Sequence, residues 1–247
     1  MNEEQVSGFF YKERHALTLH SARAVLSLVW DIFGPQSSIL DVGCGVGTWL
    51  LVGEQLGASA IQGIEGPWLE GVKDVVVVVP RDRIRITDLE QDWQAPGKFG
   101  LAISLEVAEH LSPQAGLRLV ERLSAASPLV LFSAAVPGQG GNGHVNEQWP
   151  MYWQKMFAGR GYRAIDCIRP VIWEDSRIPW WYRQNTVLFA DKEVAREYYL
   201  KRASIANADI PLLGLIHPEV RPAQSGRQRA HPNTIINALR KLRAMLR

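Results

Sequence analysis

Ile39-Leu40-Asp41-Val42-Gly43-Cys44-Gly45-Val46-Gly47 is the stretch on which the fold turns. An apolar run that ends in an acidic residue and then meets three glycines spaced by one reads as a buried strand entering a tight turn. Glycine tolerates positive φ and lets a ligand lie against bare backbone. Thr48 to Leu56 are mostly helix-permissive, so the turn opens a helix whose free N–H groups face that ligand. Downstream, Ala60-Ile-Gln-Gly-Ile64 is a second apolar strand that closes on Glu65 and Gly66. The Glu65 carboxylate can accept both hydroxyls of a ribose. Nucleoside binding at the carboxyl ends of parallel strands in an α/β sheet is the expectation.

Spacing separates two nucleoside-binding families. A dinucleotide fingerprint needs Gly-x-Gly-x-x-Gly, and here the third glycine comes one residue early, at Gly47, with Thr48 after it. Gly43-x-Gly45-x-Gly47 with Asp41 two residues ahead resembles motif I of class I S-adenosylmethionine-dependent methyltransferases. Later segments fall in that family's order. Arg83-Ile-Arg-Ile-Thr-Asp88-Leu89 looks like its adenine-contacting motif. Phe99-Gly-Leu-Ala-Ile-Ser-Leu105-Glu106-Val-Ala-Glu109-His110-Leu111 resembles the fourth motif, whose strand end touches the methionine part of the cofactor. Pro128 to Val136 reads as the central fifth strand. The resemblance covers roughly residues 37–192. It implies a Rossmann-like, doubly wound, seven-stranded sheet, mostly parallel with an antiparallel last strand and helices on both faces. It also implies S-adenosylmethionine as cofactor, held by Asp41, Gly43, Cys44, Gly45, Gly47, Glu65, Gly66, Asp88, Leu89, Leu105 and Glu106.

The 247 residues suffice for one α/β domain with insertions. Met-Asn-Glu-Glu-Gln at the start is polar and does not read as a signal peptide. Continuous apolar runs such as Val75 to Val79 are too short to span a bilayer, and a cytoplasmic protein is expected. Two cysteines, Cys44 and Cys167, form no metal-finger or disulfide framework, and Cys44 reads as a small filler rather than a nucleophile. The net charge of +2 hides an asymmetry, because seven basic and no acidic residues follow from Arg221 onward. The remainder carries 20 basic against 25 acidic residues, which argues against a nucleic-acid-binding catalytic face.

Four segments organise the chain. Residues 1–36 form an N-terminal helical lid, with a helix over Arg14 to Phe33 whose apolar residues are Leu17, Val25, Leu28, Val29 and Ile32. In the family this helix commonly caps cofactor and substrate, which puts Tyr11, Arg14, His15 and His20 in the lid. Residues 37–192 are the core, with an aromatic insertion at about 171–185. Residues 193–220 extend it. Residues 221–247 form a basic linker and an amphipathic helix that begins near Thr234, capped by Asn233. That helix suits weak, peripheral contact with the inner face of a membrane, docking on the body, or a homodimer. Within the core, Pro137-Gly-Gln-Gly-Gly-Asn-Gly-His144-Val-Asn146 is a ligand-type loop after the fifth strand. A helix over Tyr152 to Gly161 and strands over Ala164 to Ile168 and Thr186 to Ala190 complete it.

Methyl transfer needs an acceptor atom placed in line with the methyl group and, for a hydroxyl, a base to remove its proton. Glu106, Glu109 and His110 have i, i+3, i+4 spacing, which at a helix start puts all three on one face. With His144 they form a Glu-x-x-Glu-His plus distal His set. The set resembles the metal site of small-RNA 3′-terminal 2′-O-methyltransferases and is similar to one in ubiquinone-pathway O-methyltransferases. It would take Mg²⁺, Mn²⁺ or Zn²⁺ on Glu106, Glu109, His110 and His144. Family members with the same fourth motif also work without metal, so His110 or His144 is equally read as a base or substrate ligand. A purely structural role stays open for both. Ten of the 22 aromatic residues fall between Trp149 and Phe189, and Trp149, Trp153, Trp181 and Tyr182, with Asn146 and Asn185, are the candidate acceptor-pocket lining. The leading expectation is O-methylation of a hydroxyl on a small molecule or glycan. RNA 2′-O-methylation and a non-catalytic S-adenosylmethionine-binding scaffold are the alternatives.

Overall fold

The computed structural model describes residues 8–71, 75–202 and 216–219, the side chains of residues 8–14 and 202 excepted. Tyr11 and Arg14 as side chains, and the linker and amphipathic helix after residue 221, therefore lie outside the described residues.

Helix α1 spans Gly8–Phe33 and leads into β1, Ser38–Val42. Then come α2 (Thr48–Gln55), β2 (Ala60–Glu65), α3 (Trp68–Gly71), β3 (Ile84–Ile86) and β4 (Leu101–Leu105). The second half has α4 (Pro113–Ala126), β5 (Leu129–Ser133), α5 (Pro150–Gly159), β6 (Arg163–Ile165), α6 (Arg169–Ile172), α7 (Trp180–Asn185), β7 (Val187–Ala190) and α8 (Lys192–Arg202). The strands form one seven-stranded sheet in the order β3-β2-β1-β4-β5-β7-β6. β1 to β5 pair in parallel, and β7 runs antiparallel between β5 and β6. The order reverses between β1 and β4, and an open α/β sheet places its ligand cleft outside the strand ends at that reversal.

Alternation along the strands feeds two cores. Ile39, Ile61, Leu101, Ile103 and Leu131 face the layer formed with α1 and α2. Leu40, Val42, Ile64, Ala102, Val130 and Phe132 face the layer formed with α4 and α5. Strands covered on both faces read as apolar runs, and β4 and β5 are buried at every position. Ser112 starts α4 by accepting the Ala115 N–H, with Pro113 at the first helical position, where its missing donor costs nothing.

Several boundaries move. Helix α1 starts at Gly8 rather than Arg14, and its buried stripe is Ala22, Val25, Leu26 and Val29, whereas Leu17 is exposed. His15–Phe33 is long and apolar enough to cross a membrane by length and composition, a feature that scanning for continuous apolar runs missed. In this fold the stretch packs that stripe into the α2-side core. Strand β5 stops at Ser133, and β6 stops at Ile165 because Ile168 already turns into α6. The 171–185 insertion holds the end of α6 and all of α7.

Candidate active site

The glycine turn is clamped to β2 by Gly43 and Cys44, whose N–H groups both donate to the Ile64 carbonyl, at 2.8 and 3.2 Å. Its glycines serve different ends. A Cβ on Gly43, at φ +79, would sit 2.2 Å from Val107 Cγ2, and one on Gly47 would sit 2.6 Å from Val79 Cγ2. Gly45 has φ +57 but nothing within 4 Å, so its bare backbone faces open space. The Gly45 N–H donates to Glu65 Oε2 at 2.5 Å, while Gly66 N–H and Trp68 Nε1–H donate to Oε1 at 2.7 and 2.9 Å. Burial raises the Glu65 pKa against these three donors. Asp41 is buried beneath the turn, and burial first, then the Glu65 charge, push its pKa well up. Its Oδ2 has no hydrogen-bond partner among the described residues. The Cys44 thiol is turned into the core against Gly63, and burial raises its pKa, which agrees with a filler. Asp88 sits at the rim with Oδ1 accepting the Glu90 N–H, and Leu89 is buried behind it.

At the end of β4, Glu106 is the one described non-glycine residue with positive φ, at +56. Such a conformation in a non-glycine residue costs on the order of 1–3 kcal/mol and persists only where surroundings impose it. They do so here. The Glu106 N–H donates to the Ser133 carbonyl and Oγ at 3.0 and 3.1 Å. Its carboxylate accepts from Gln139 Nε2 at 2.7 Å and Asn185 Nδ2 at 3.1 Å, and Asn185 Nδ2 also donates to Gln139 Oε1 at 2.9 Å. Burial raises the Glu106 pKa despite these donors. The expected helix face is therefore corrected. A left-handed residue cannot continue a helix, so Glu106 precedes a short 3₁₀ turn, Ala108–His110, and α4 begins only at Pro113.

Glu109 is fully buried, and neither carboxylate oxygen has a hydrogen-bond partner among the described residues. Burial, then the neighbouring Glu106 charge, push its pKa up to about 9. Its backbone carbonyl accepts the N–H groups of Val145 and Asn146, which ties the glycine-rich loop to this turn. In that loop Glu147 accepts from Gly138 N–H at 2.7 Å, from Gly140 N–H at 3.0 Å and from His144 Nδ1 at 2.9 Å. Partial burial alone would raise the Glu147 pKa, but the bonds from His144 and the two glycines outweigh it and lower it. The His144 ring stands edge-on to that of His110, with centroids 4.8 Å apart. Glu109, His110 and His144 each offer a ligand atom, all within 4.8 Å of one another. Glu106 is not in that group, because its oxygens are turned to Gln139 and Asn185.

The expected acceptor lining divides. Asn185 reaches Glu106, Tyr182 packs edge-on to Trp49 with centroids 5.6 Å apart, Trp181 is half-buried beside it, and Trp149 is exposed. Trp153 and Asn146 are corrected. Trp153 is buried against Phe132 in the α4-side core, and Asn146 is buried with its amide spent on the Ala108 carbonyl and on Gln148. Helix α1 is tied down by His15, whose Nδ1 lies 2.9 Å from Thr48 Oγ1, and by His20, 3.3 Å from Asp175. Sequence reasoning passed over Gln139 and Glu147. His144-x-x-Glu147 spacing was the available signal for the second, and nothing local marked the first.

A family model described as "Methyltransferase domain" matches residues 12–166. No curated protein matches the chain. Among solved structures the fold is similar to that of DesVI from Streptomyces venezuelae, at TM-score 0.52 and 15% identity, covering 74% of this chain and 95% of that one. Human N-acetylserotonin methyltransferase in complex with S-adenosylmethionine gives TM-score 0.48 and 15% identity over 74% of this chain and 55% of that one. The chain thus spans little more than half the length of the human protein. Magnesium protoporphyrin IX methyltransferase from Synechocystis PCC 6803, with bound S-adenosylhomocysteine, gives 0.47 and 16% over 74% and 92%. With the family model matching more than half of its length, and with this sheet order, the chain belongs to the methyltransferase domain family and has the class I fold.

Proposed function

We propose that this protein transfers a methyl group from S-adenosylmethionine to a hydroxyl on a small molecule or glycan, with His144 as the general base. The supporting observation is the His144–Glu147 pair, 2.9 Å apart, beside the Glu106 end of β4. With Nδ1–H given to Glu147, neutral His144 keeps its Nε2 lone pair for a proton, the orienter–base logic of nucleophile activation. The residues at the neighbouring strand ends fit the cofactor. Gly45 leaves room over the turn, Glu65 would take the ribose hydroxyls, Asp88-Leu89 would flank the adenine, and Leu105-Glu106 the methionine part. When bound, S-adenosylmethionine supplies the electrophilic methyl group. His144 would accept the acceptor's hydroxyl proton at Nε2, and Trp181, Tyr182 and Trp149 would hold the acceptor's flat or sugar face.

A second reading is favoured by the Glu109, His110 and His144 cluster, whose donor set suits Mg²⁺, Mn²⁺ or Zn²⁺. An ion there would orient the acceptor hydroxyl and lower its pKa. RNA as acceptor would use the same cluster but meets the acidic body of the chain.

Methyl-labelled S-adenosylmethionine, offered with a metabolite and glycan extract of cells lacking the protein, should label an acceptor. His144→Ala should cut labelling by about 100-fold or more and leave S-adenosylhomocysteine affinity unchanged by calorimetry. Labelling that survives chelation removes the metal reading. Undiminished labelling by a variant lacking both His110 and His144 removes the base as well as the metal, whereas S-adenosylhomocysteine binding with no labelled acceptor leaves a binding scaffold.

A further inference from the structure

The described C-terminal piece, residues 216–219, is plugged into the back of α7. Arg183, nearly buried, donates from Nε to the Ile178 carbonyl at 2.8 Å, from Nη1 to the Trp173 carbonyl at 3.0 Å and from Nη2 to Glu219 Oε1 at 2.6 Å. The next residue, Gln184, accepts the His217 N–H on its side-chain oxygen, and its carbonyl accepts from Arg169 Nη1 at 3.0 Å. The residue after that is Asn185, which donates to Glu106 and Gln139. Three consecutive residues of one short helix thus link residues 217–219 to the carboxylate at the end of β4. Six residues cannot hold a helix by themselves, because nucleation is unfavourable and short helices are marginal in water. The position of Asn185 therefore depends on what grips Arg183 and Gln184.

We infer that residues 216–219 are a latch on the active site, in which His217 and Glu219 are positioning residues that act through Arg183 and Gln184 to hold Asn185 on Glu106. This rests on the proposed function for the meaning of Glu106. The ring nitrogens define the latched state. Two donors face the His217 ring: the Glu219 N–H at Nδ1, 3.2 Å away, and Arg183 Nη1–H at Nε2, 3.0 Å away. A neutral ring has one acceptor nitrogen and takes one of these bonds at a time, and with its hydrogen on Nε2 it would donate instead to the Trp173 carbonyl, 3.1 Å away. The ring also packs on the Trp173 indole, with centroids 4.7 Å apart. The charged groups facing it are Arg183, with Nη1 3.0 Å from Nε2, and Glu219, with the Arg169–Asp166 pair next along on Gln184. Protonation would set an N–H against the Glu219 N–H and add a second positive charge beside Arg183. Burial favours the neutral ring and lowers the His217 pKa; the Trp173 carbonyl opposes this, Arg183 reinforces it and Glu219 opposes it. The latch is therefore complete above the ordinary imidazole pKa, about 6.5, and is lost as pH falls below it.

The full-length protein, Glu219→Gln and His217→Asn test this with S-adenosylhomocysteine as the probe. The Glu219 side chain is half-exposed, so its replacement leaves the fold intact. Amide exchange by mass spectrometry should speed up in residues 180–185 of Glu219→Gln by about tenfold, with the sheet strands unchanged. Calorimetry should show weaker S-adenosylhomocysteine binding in the same variant. In the native chain affinity should fall as pH drops through roughly 6.5 to 5.5, and His217→Asn, which keeps an acceptor for the Glu219 N–H but takes no proton, should be flat there. Unchanged exchange at 180–185 in Glu219→Gln overturns the latch, and so does exchange that rises equally across the sheet. A native chain that fails to bind S-adenosylhomocysteine removes the functional reading instead, and exchange alone then judges the latch.

Discussion

At the end of β2, Glu65 is buried and accepts from three N–H donors; in the 3₁₀ turn after β4, Glu109 is buried and neither carboxylate oxygen has a hydrogen-bond partner among the described residues, with only the backbone N–H groups of Glu109 itself and Ala135 opposing the rise in its pKa. Burial pushes both carboxyl groups up in pKa, and at Glu109 the neighbouring Glu106 charge adds to it, taking that group to about 9. The first region is a satisfied cradle: backbone donors fix the carboxylate, and the carboxylate fixes the turn. The second stores unfavourable free energy, in an unpartnered buried acid, in a left-handed Glu106 and in two acids set side by side. A buried acceptor without a donor costs on the order of 1–3 kcal/mol, and such groups persist where function uses them. On the proposed function, recognition and chemistry fall at the ends of different strands, β2 and β4, with β1 between them. One end is built for rigidity and the other for reactivity.

Substitutions can break that contrast. The largest effect is expected at Gly43. Its replacement by Ala drives a Cβ into Val107 from a left-handed backbone and should destabilise the protein by about 2–4 kcal/mol in urea melts. Gly45→Ala has the backbone penalty without the clash, so about 1–2 kcal/mol is expected there, with the loss falling on S-adenosylhomocysteine affinity. Equal stability losses at the two positions would mean that close packing against the fourth-motif turn is not what Gly43 serves.

Next comes Glu65→Ala, which removes a carboxylate that both organises the turn and would hold a ribose. S-adenosylhomocysteine affinity should fall by on the order of 1.5–3 kcal/mol per charged hydrogen bond lost, and the melting temperature should fall with it. Lost affinity with unchanged stability would show that the three N–H donors do not depend on Glu65.

The most pH-dependent effect belongs to Glu109→Gln. Because burial raises the pKa of Glu109, the native state holds a proton that the unfolded chain has released, and native stability falls as pH rises from the ordinary value, 4.5, to about 9. Glu109→Gln has no such proton to lose, so its stability relative to the native protein should climb over that window, by at most about 1.4 kcal/mol per pH unit. Thermal melts at several pH values check this. A difference that stays flat with pH would show that Glu109 is ionised at little cost, by a partner it acquires in solution.

The two regions also differed in how far they could be read in advance. The glycines of the turn and both of its acids lie within 26 consecutive residues, from Asp41 to Gly66, and the order of apolar run, acid, spaced glycines and second acid carries its own physics. The same holds for the sheet, whose strands announce themselves as apolar runs between turn residues. At the end of β4 the residues were named from the sequence, but their arrangement was not. Helical spacing put Glu106, Glu109 and His110 on one face, whereas positive φ at Glu106 sends its carboxylate to Asn185, 79 residues away in the chain. Trp153 and Asn146 were marked as pocket lining because aromatic and amide side chains suit a ligand and a core equally. Burial alone separates the two uses.

The sequence by itself determined the doubly wound sheet, the turn that meets a nucleoside and the acid/base residue types beside it, because these depend on periodicity, glycine backbone freedom and short-range spacing. Only the tertiary structure decided which carboxylate is satisfied and which is not, that Glu147 orients His144, that Gln139 and Asn185 share Glu106, and that His217 and Glu219 grip α7. Those choices depend on burial and on hydrogen bonds between segments far apart in the chain, and no local pattern encodes which donor will meet which acceptor once the helices have packed.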